Sequence, residues 1–176
     1  SVCKQMMELI ELLDRALAAR QGLFDDQHLS ALRLFNGFTE GFPALVVDLY
    51  ARTALLHNYA DSPAQGQAAI QTTKTWLLDN LPWLACILVK TRSGSEVEKR
   101  GQVIFGQTPD RKIREHGVWY ALDLTMNRDA SFYMDTRSLR RWALENLNGK
   151  TILNTFAYTG SLGVAAQAAG AARVTQ

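Results

Sequence analysis

Apolar residues near the start of the chain recur at three- and four-residue steps: Met6, Met7, Leu9, Ile10, Leu13, Ala16 and Leu17. This spacing predicts an amphipathic helix from about Cys3 to Arg20, stopped at Gly22. Its stripe is expected to pack against the following domain or against a preceding piece of chain. From Ala31 the period falls to two. Ala31–Phe35 reads as a strand, Asn36-Gly37 opens a turn that runs to Pro43, and Leu45–Tyr50 and Ala54–Tyr59 read as two more strands. No long crossover separates these three, so an antiparallel meander is expected. A helix starts at Asp61-Ser62-Pro63, carries Ala69, Ile70, Thr73, Trp76 and Leu77 on one face, and ends at Pro82. Leu84–Lys90 is apolar on both faces and predicts a central strand. Arg92 to Gly101 reads as a charged loop, and Gln102–Phe105 and Val118–Leu124 as the last strands of an α+β unit.

An extended piece from Met126 leads to a helix over about Thr136–Leu147, with Leu139, Trp142, Ala143 and Leu147 on one side and Asn148-Gly149 at its end. A buried strand is then expected at Ile152–Phe156, a turn at Tyr158-Thr159-Gly160-Ser161, an Ala-rich helix to Ala169 and a second strand from Ala172. This strand–turn–helix–strand order is how a doubly wound α/β domain opens. Such a turn leaves backbone N–H groups at a helix N-terminus, where the polar end of a ligand can bind. Gly160 and Gly163 could equally serve helix–strand packing alone, and the full G-x-G-x-x-G pattern is absent.

The remaining statistics exclude more than they select. With 176 residues there is room for one domain, or for one and part of another. A formal net charge of +2 is too small to argue by itself for nucleic acid. No apolar run is long enough to cross a bilayer, and the first residues lack a signal-peptide layout, so a cytoplasmic location is expected. Cys3 and Cys86 are far apart and read as reduced thiols, the second in a core strand. His28, His57 and His116 are scattered and read as surface or hydrogen-bonded histidines, so no metal site is expected.

Four ordered stretches resemble one family. They are Arg33–Gly37 followed by Gly41–Tyr50, Leu88–Arg92, Ser131–Arg137 and Leu153–Ser161. They are similar to the "RL-x-NG … G-x-P-x-L-VVD-x-Y", strand-end, "G-x-F-L-D-x-R" and "LNLFxYTG" motifs of class I S-adenosylmethionine-dependent methyltransferases of large-subunit ribosomal RNA. The run from Asp135 to Arg141 resembles the guanine-N7-modifying half of the fused enzymes, whose near relatives modify cytosine C5 instead. The resemblance implies an N-terminal helical segment (1–30), an α+β central domain (31–125) and the start of a Rossmann-like methyltransferase domain (126–176). It implies S-adenosylmethionine as cofactor and ribosomal RNA as partner. Family members continue with an acidic residue for the cofactor ribose and a catalytic Pro-Pro motif. Neither is present here, so catalytic residues stay unassigned.

For the cofactor the resemblance implies Tyr133, Asp135, Arg137, Phe156, Tyr158, Thr159 and Gly160. The guanidinium of Arg137 can fork onto a carboxylate such as that of methionine. Read without the family, Arg137 could be a surface residue bridging to Asp135, Asp135 a helix N-cap, and Phe132 and Tyr133 core, with one of the two facing a pocket. Lys90, Arg92, Arg140 and Arg141 are candidates for RNA phosphates, although Glu96 and Glu98 dilute the charge near the first pair. The alternative function is a non-catalytic RNA- or protein-binding α+β module; a nicotinamide enzyme is a third, poorly supported by the loop. The 176 residues alone are expected to give no measurable methyl transfer, and the apolar strand at 152–156 to recruit a second copy into a homodimer.

Overall fold

The computed structural model describes residues 1–126 and 130–176, with Pro63 described by its backbone alone. Asn127, Arg128 and Asp129, within the expected extended piece, lie outside the described residues. Helix α1 spans Val2–Arg20 and buries Leu9, Leu12, Leu13 and Ala16. Strands β1 (Ala31–Asn36), β2 (Leu45–Tyr50) and β3 (Thr53–Asn58) form the expected antiparallel meander, with a register shift between Arg33 and Phe35. A single helical turn, α2 (Gly37–Glu40), sits between the first two. Helix α3 (Pro63–Asn80) then crosses over, so that β4 (Cys86–Thr91) runs parallel to β3, and β5 (Gln102–Phe105) closes the sheet antiparallel to β4. The order is β1-β2-β3-β4-β5.

Strand alternation divides the sheet into two faces. Leu34, Leu45, Val47, Leu56, Ile87 and their neighbours pack under α1 and α3, where Trp76 donates its ring N–H to Asp14 of α1 at 2.8 Å. The amphipathic stripe of α1 therefore covers the sheet itself. The opposite face carries Tyr50, Leu55, Cys86 and Leu88, and is half covered by a hairpin of β6 (Lys112–Glu115) and β7 (Val118–Ala121) together with Leu122, Leu124 and Phe132.

Three expectations need correction here. The charged loop after β4 contains a short helix, α4 (Glu96–Arg100), held by a capping box between Ser95 and Glu98. Strand β6 was not expected. Its turn, His116-Gly117, has φ of 51° and 83°, the paired positive values of the tight hairpin turn that Asn-Gly usually marks. Helix α5 (Arg137–Asn146), preceded by a 3-10 turn over Met134–Thr136, buries Arg140 and Ala143 while Leu139 and Trp142 stand exposed. A buried ion pair fixes that rotation, as described below.

The last elements are β8 (Thr151–Leu153), α6 (Ser161–Ala168) and β9 (Arg173–Thr175), with β8 and β9 parallel as expected. The strand is shorter and less buried than its sequence suggests: Leu153 is 72 % and Phe156 84 % exposed, because no described layer covers that side. No helix among the described residues is long and apolar enough to cross a membrane.

The Asn36-Gly37 pair illustrates how a turn signal can have another cause. A Cβ on Gly37 would lie 1.8 Å from the carbonyl oxygen of Phe42 and 2.3 Å from that of Leu45. Gly37→Ala is therefore expected to destabilise the protein by about 3 kcal/mol or more in urea unfolding. Gly22→Ala, where nothing lies within 4 Å of the added methyl, should be neutral or stabilising by up to about 1 kcal/mol.

Candidate functional site

Residues 130–137 connect the hairpin layer to α5, and their side chains go in two directions. Phe132 is buried, its ring centroid 5.3 Å from that of Tyr120, whereas Tyr133 is half-exposed and meets the ring of Tyr158 at 4.9 Å. Ser131 accepts from the backbone N–H of Asp123 through its hydroxyl and from the Thr159 hydroxyl through its carbonyl. Two segments far apart in sequence, 131–137 and 154–160, are thus brought together by a hydrogen bond and a ring contact.

The loop before α6 is shaped by its backbone. Asn154 accepts the N–H of Phe156 on its side-chain oxygen at 3.1 Å, an Asx turn, and Tyr158 (φ 41°) and Gly160 (φ 85°) are left-handed. A positive φ at Tyr158 is uncommon for a residue with a Cβ and holds its ring against Tyr133. Gly160 is the N-cap of α6, and no side chain caps that helix or places a carboxylate in its first turn.

Arg140 is fully buried. Its Nε and Nη2 donate to the two carboxylate oxygens of Glu115 at 2.6 and 3.0 Å, and its Nη1 donates to the Tyr133 carbonyl and the Thr136 hydroxyl. The guanidinium carbon also lies 4.0 Å from the centroid of the Phe132 ring. The expectation that Arg140 meets RNA phosphates is therefore wrong: the guanidinium is fully buried and four of its five N–H donors bond inside the protein. Lys90 is buried as well, which argues against a direct phosphate contact. Arg92 is exposed above the ring of Tyr59, and Arg141 is exposed and paired with Glu145 at 3.0 Å.

Arg137 is 44 % exposed, with its Nε 3.8 Å from Glu115 rather than bridged to Asp135. Asp135 lies within the 3-10 turn and does not cap α5, whose N-cap is Thr136. Tyr133, Asp135 and Arg137 line one side of an open groove of about 460 Å³. The other side is a cluster that sequence reasoning missed. Asp48 is buried, accepts from Nε and Nη2 of Arg33 at 2.8 and 3.1 Å, and lies 3.2 Å from Nε2 of His57. Arg33 and Asp48 are direct cross-strand partners, and alternation places His57 on the same face. The available signal was an aspartate inside the apolar run Leu45–Tyr50, where a carboxylate needs partners.

Burial works to raise the pKa of Asp48, but hydrogen bonds from His57 and Arg33 outweigh it and hold the carboxyl below its ordinary value. A carboxyl depressed in the folded state contributes stability above the unfolded pKa, and that contribution is lost as pH falls through the folded value. Asp48→Asn is thus expected to lose stability near neutral pH and to show a flatter acid limb in thermal melts across pH. Elsewhere, burial first and then the Glu115 charge push Tyr120 up to about 12.

The ion pair gives a second prediction. Glu115→Ala should cost about 3–5 kcal/mol in urea unfolding by stranding the Arg140 charge, and the double variant with Arg140→Met should recover most of it.

With this geometry described, comparison with known proteins places the chain. The family model of S-adenosylmethionine-dependent methyltransferases matches residues 98–176. The chain is 31% identical over 173 residues to YwbD of Bacillus subtilis, named as a candidate ribosomal RNA large subunit methyltransferase, covering 93% of this chain and 42% of that protein. It is 30% identical over 170 residues to ribosomal RNA large subunit methyltransferase I of Aeromonas hydrophila, covering 94% of this chain and 42% of the relative. A solved structure of a candidate SAM-dependent methyltransferase from Streptococcus mutans superposes with a TM-score of 0.81 at 23% identity, over 96% of this chain and 44% of that one. A candidate methyltransferase solved with SAH bound gives the same TM-score and identity, over 96% of this chain and 43% of that one. At that identity the structures establish the fold, a mixed sheet with helices. The chain spans about two-fifths of the length of these relatives. Residues 98–176 thus match the family model of S-adenosylmethionine-dependent methyltransferases, and over more than nine-tenths of its length the chain is similar to proteins named for large-subunit ribosomal RNA methylation.

Proposed function

We propose that this protein takes part in methyl transfer from S-adenosylmethionine to a base of large-subunit ribosomal RNA in the cytoplasm, and that segments 131–137 and 154–160 form part of the cofactor's seat. The observation that carries this reading is the junction of the two segments, Thr159 on the Ser131 carbonyl and Tyr133 against Tyr158. It is supported by the family match from residue 98 and by the SAH-bound protein of the same fold. Bound there, the cofactor would supply a sulfonium methyl as electrophile.

The residues present suit such a ligand. Tyr133, Tyr158 and Phe156 are exposed aromatics, able to cover a flat or sulfonium-bearing molecule. Arg137 keeps its charge beside an open groove, where it can fork onto a carboxylate, and Asp135 stands next to it. Thr159 and Gly160 shape the loop at an uncapped helix N-terminus. Arg92 and Arg141 remain the exposed candidates for RNA phosphate.

The division into a helical segment (1–30), an α+β unit (31–125) and a Rossmann-like strand–helix–strand unit (126–176) belongs to this proposal. The separate parallel pairing of β8 with β9 favours it, while the packing of α1 on the five-stranded sheet favours counting that helix with the α+β unit. The exposed Leu153 and Phe156 support the homodimer reading, which light scattering at micromolar concentration tests; a monomer removes it.

Cofactor binding is read by equilibrium dialysis with labelled S-adenosylmethionine. Arg137→Ala and Tyr133→Ala are each expected to weaken it about tenfold or more, the scale of one charge-assisted hydrogen bond or one ring contact. Unchanged binding in both variants would remove these segments from the cofactor site.

A further inference from the structure

The groove beside Arg137 does not end at the Asp48 cluster. Its far wall is His57 and Tyr59, and the same two side chains form one wall of a second, narrow crevice lined by Lys90, Thr91, Arg92 and Lys99. The two recesses adjoin across His57 and Tyr59 and together form a depression from the α4 region to the segment that carries Tyr133, Asp135 and Arg137.

Its chemistry changes along its length. At the α4 end the charged lining residues are cationic, but Lys90 is buried and Lys99 is paired with Glu96 at 2.8 Å, so the cation presented is the exposed guanidinium of Arg92, 5.7 Å over the Tyr59 ring. In the middle the ring of Tyr59 meets Phe38 at 5.1 Å edge-on and His57 at 6.3 Å in parallel. Arg33 is held through one edge of its guanidinium by Asp48 and is 48 % exposed, so its other edge faces the groove. Nearer the cofactor segment, Arg33 and Arg137 are balanced by Asp48 and Asp135. A cationic entrance, an aromatic middle and a neutral polar end match the parts of a nucleic acid strand, with phosphate contacts first and stacked bases after.

We propose that this depression is a track for single-stranded RNA, in which Arg92 holds phosphate, Tyr59 stacks a base, and Arg33 hydrogen-bonds the nucleotide that follows toward Arg137. The assignment deepens the methyltransferase reading and rests on it for the direction of the strand. Asp48 acts here as a positioning residue, fixing the heads of Arg33 and His57 without touching RNA. An acidic protein segment is the competing occupant, but it would use the cations and leave the aromatic middle without a role.

The test is fluorescence anisotropy of a labelled, unstructured RNA oligonucleotide with the 176-residue chain across a salt series, each variant first checked by thermal melt. Tyr59→Ala is expected to weaken binding about tenfold at every salt concentration, and Tyr59→Phe to preserve it. Arg92→Gln should reduce the slope of log affinity against log salt by about one, while Lys150→Gln, an exposed residue that lines neither recess, leaves it unchanged. No binding by the parent chain, or parental binding by both Tyr59→Ala and Arg92→Gln, overturns the track. So does an acidic peptide that binds as tightly as RNA and is indifferent to Tyr59→Ala. Cofactor dialysis on the same variants separates the two readings. In Tyr59→Ala and Arg92→Gln cofactor binding should be kept. For the parent chain, cofactor binding without RNA binding sinks the track alone, and RNA binding without cofactor binding sinks the methyltransferase reading alone.

Discussion

The pair Glu115–Arg140 joins the two halves of the described chain. Glu115 ends the first strand of a hairpin that lies on the sheet, and Arg140 sits one turn inside α5. A carboxylate and a guanidinium taken from water cost several kcal/mol each, so they persist only with good geometry and with their remaining hydrogen-bonding positions filled. Here the fork is bidentate, and Arg140 also bonds the Tyr133 carbonyl and the Thr136 hydroxyl, and covers the Phe132 ring. One side chain thereby fixes the rotation of α5, the path of the 3-10 turn and the depth of Phe132.

The consequences reach the candidate cofactor segment. With Phe132 and the Tyr133 carbonyl held inward, the Tyr133 side chain is turned out to Tyr158, and Arg137, three residues before Arg140 on the same helix, is brought to the groove edge near Glu115. Glu115 thus neutralises a buried guanidinium while leaving a second one largely in solvent. A residue expected to meet RNA instead builds the frame on which its neighbours can act.

The Asp48 cluster plays a similar part on the open face of the sheet. Arg33 and Asp48 pair across β1 and β2, and His57 reaches the same carboxylate from β3. The burial that would protonate the aspartate is countered by two partners, and those partners are ordered at the wall of the groove. Strand alternation alone would give a helix-covered apolar face and an opposite face of unspecified use. The cluster makes that second face polar, aromatic and partly open.

Short-range periodicity made much of the fold legible in the sequence. The period of two marked β1 to β3, an apolar run marked β4, the period near four marked α1 and α3, and the Thr151–Thr175 stretch declared its strand–turn–helix–strand order, because each pattern is set by local backbone geometry. The four motifs also named the segments that the structure brings together at Ser131–Thr159 and Tyr133–Tyr158. What local pattern could not decide was which face of α5 turns inward, since Leu139 and Trp142 look like better core residues than arginine. It could not show that Lys90 and Arg140 are buried, or that Asp48 gathers Arg33 and His57 from neighbouring strands. The pairs Arg33–Asp48 and Glu115–Arg140 join residues 15 and 25 positions apart, a separation that no window of helical or strand period contains. A charge enters the interior only when a distant residue arrives to meet it, and tertiary structure alone decides whether it does.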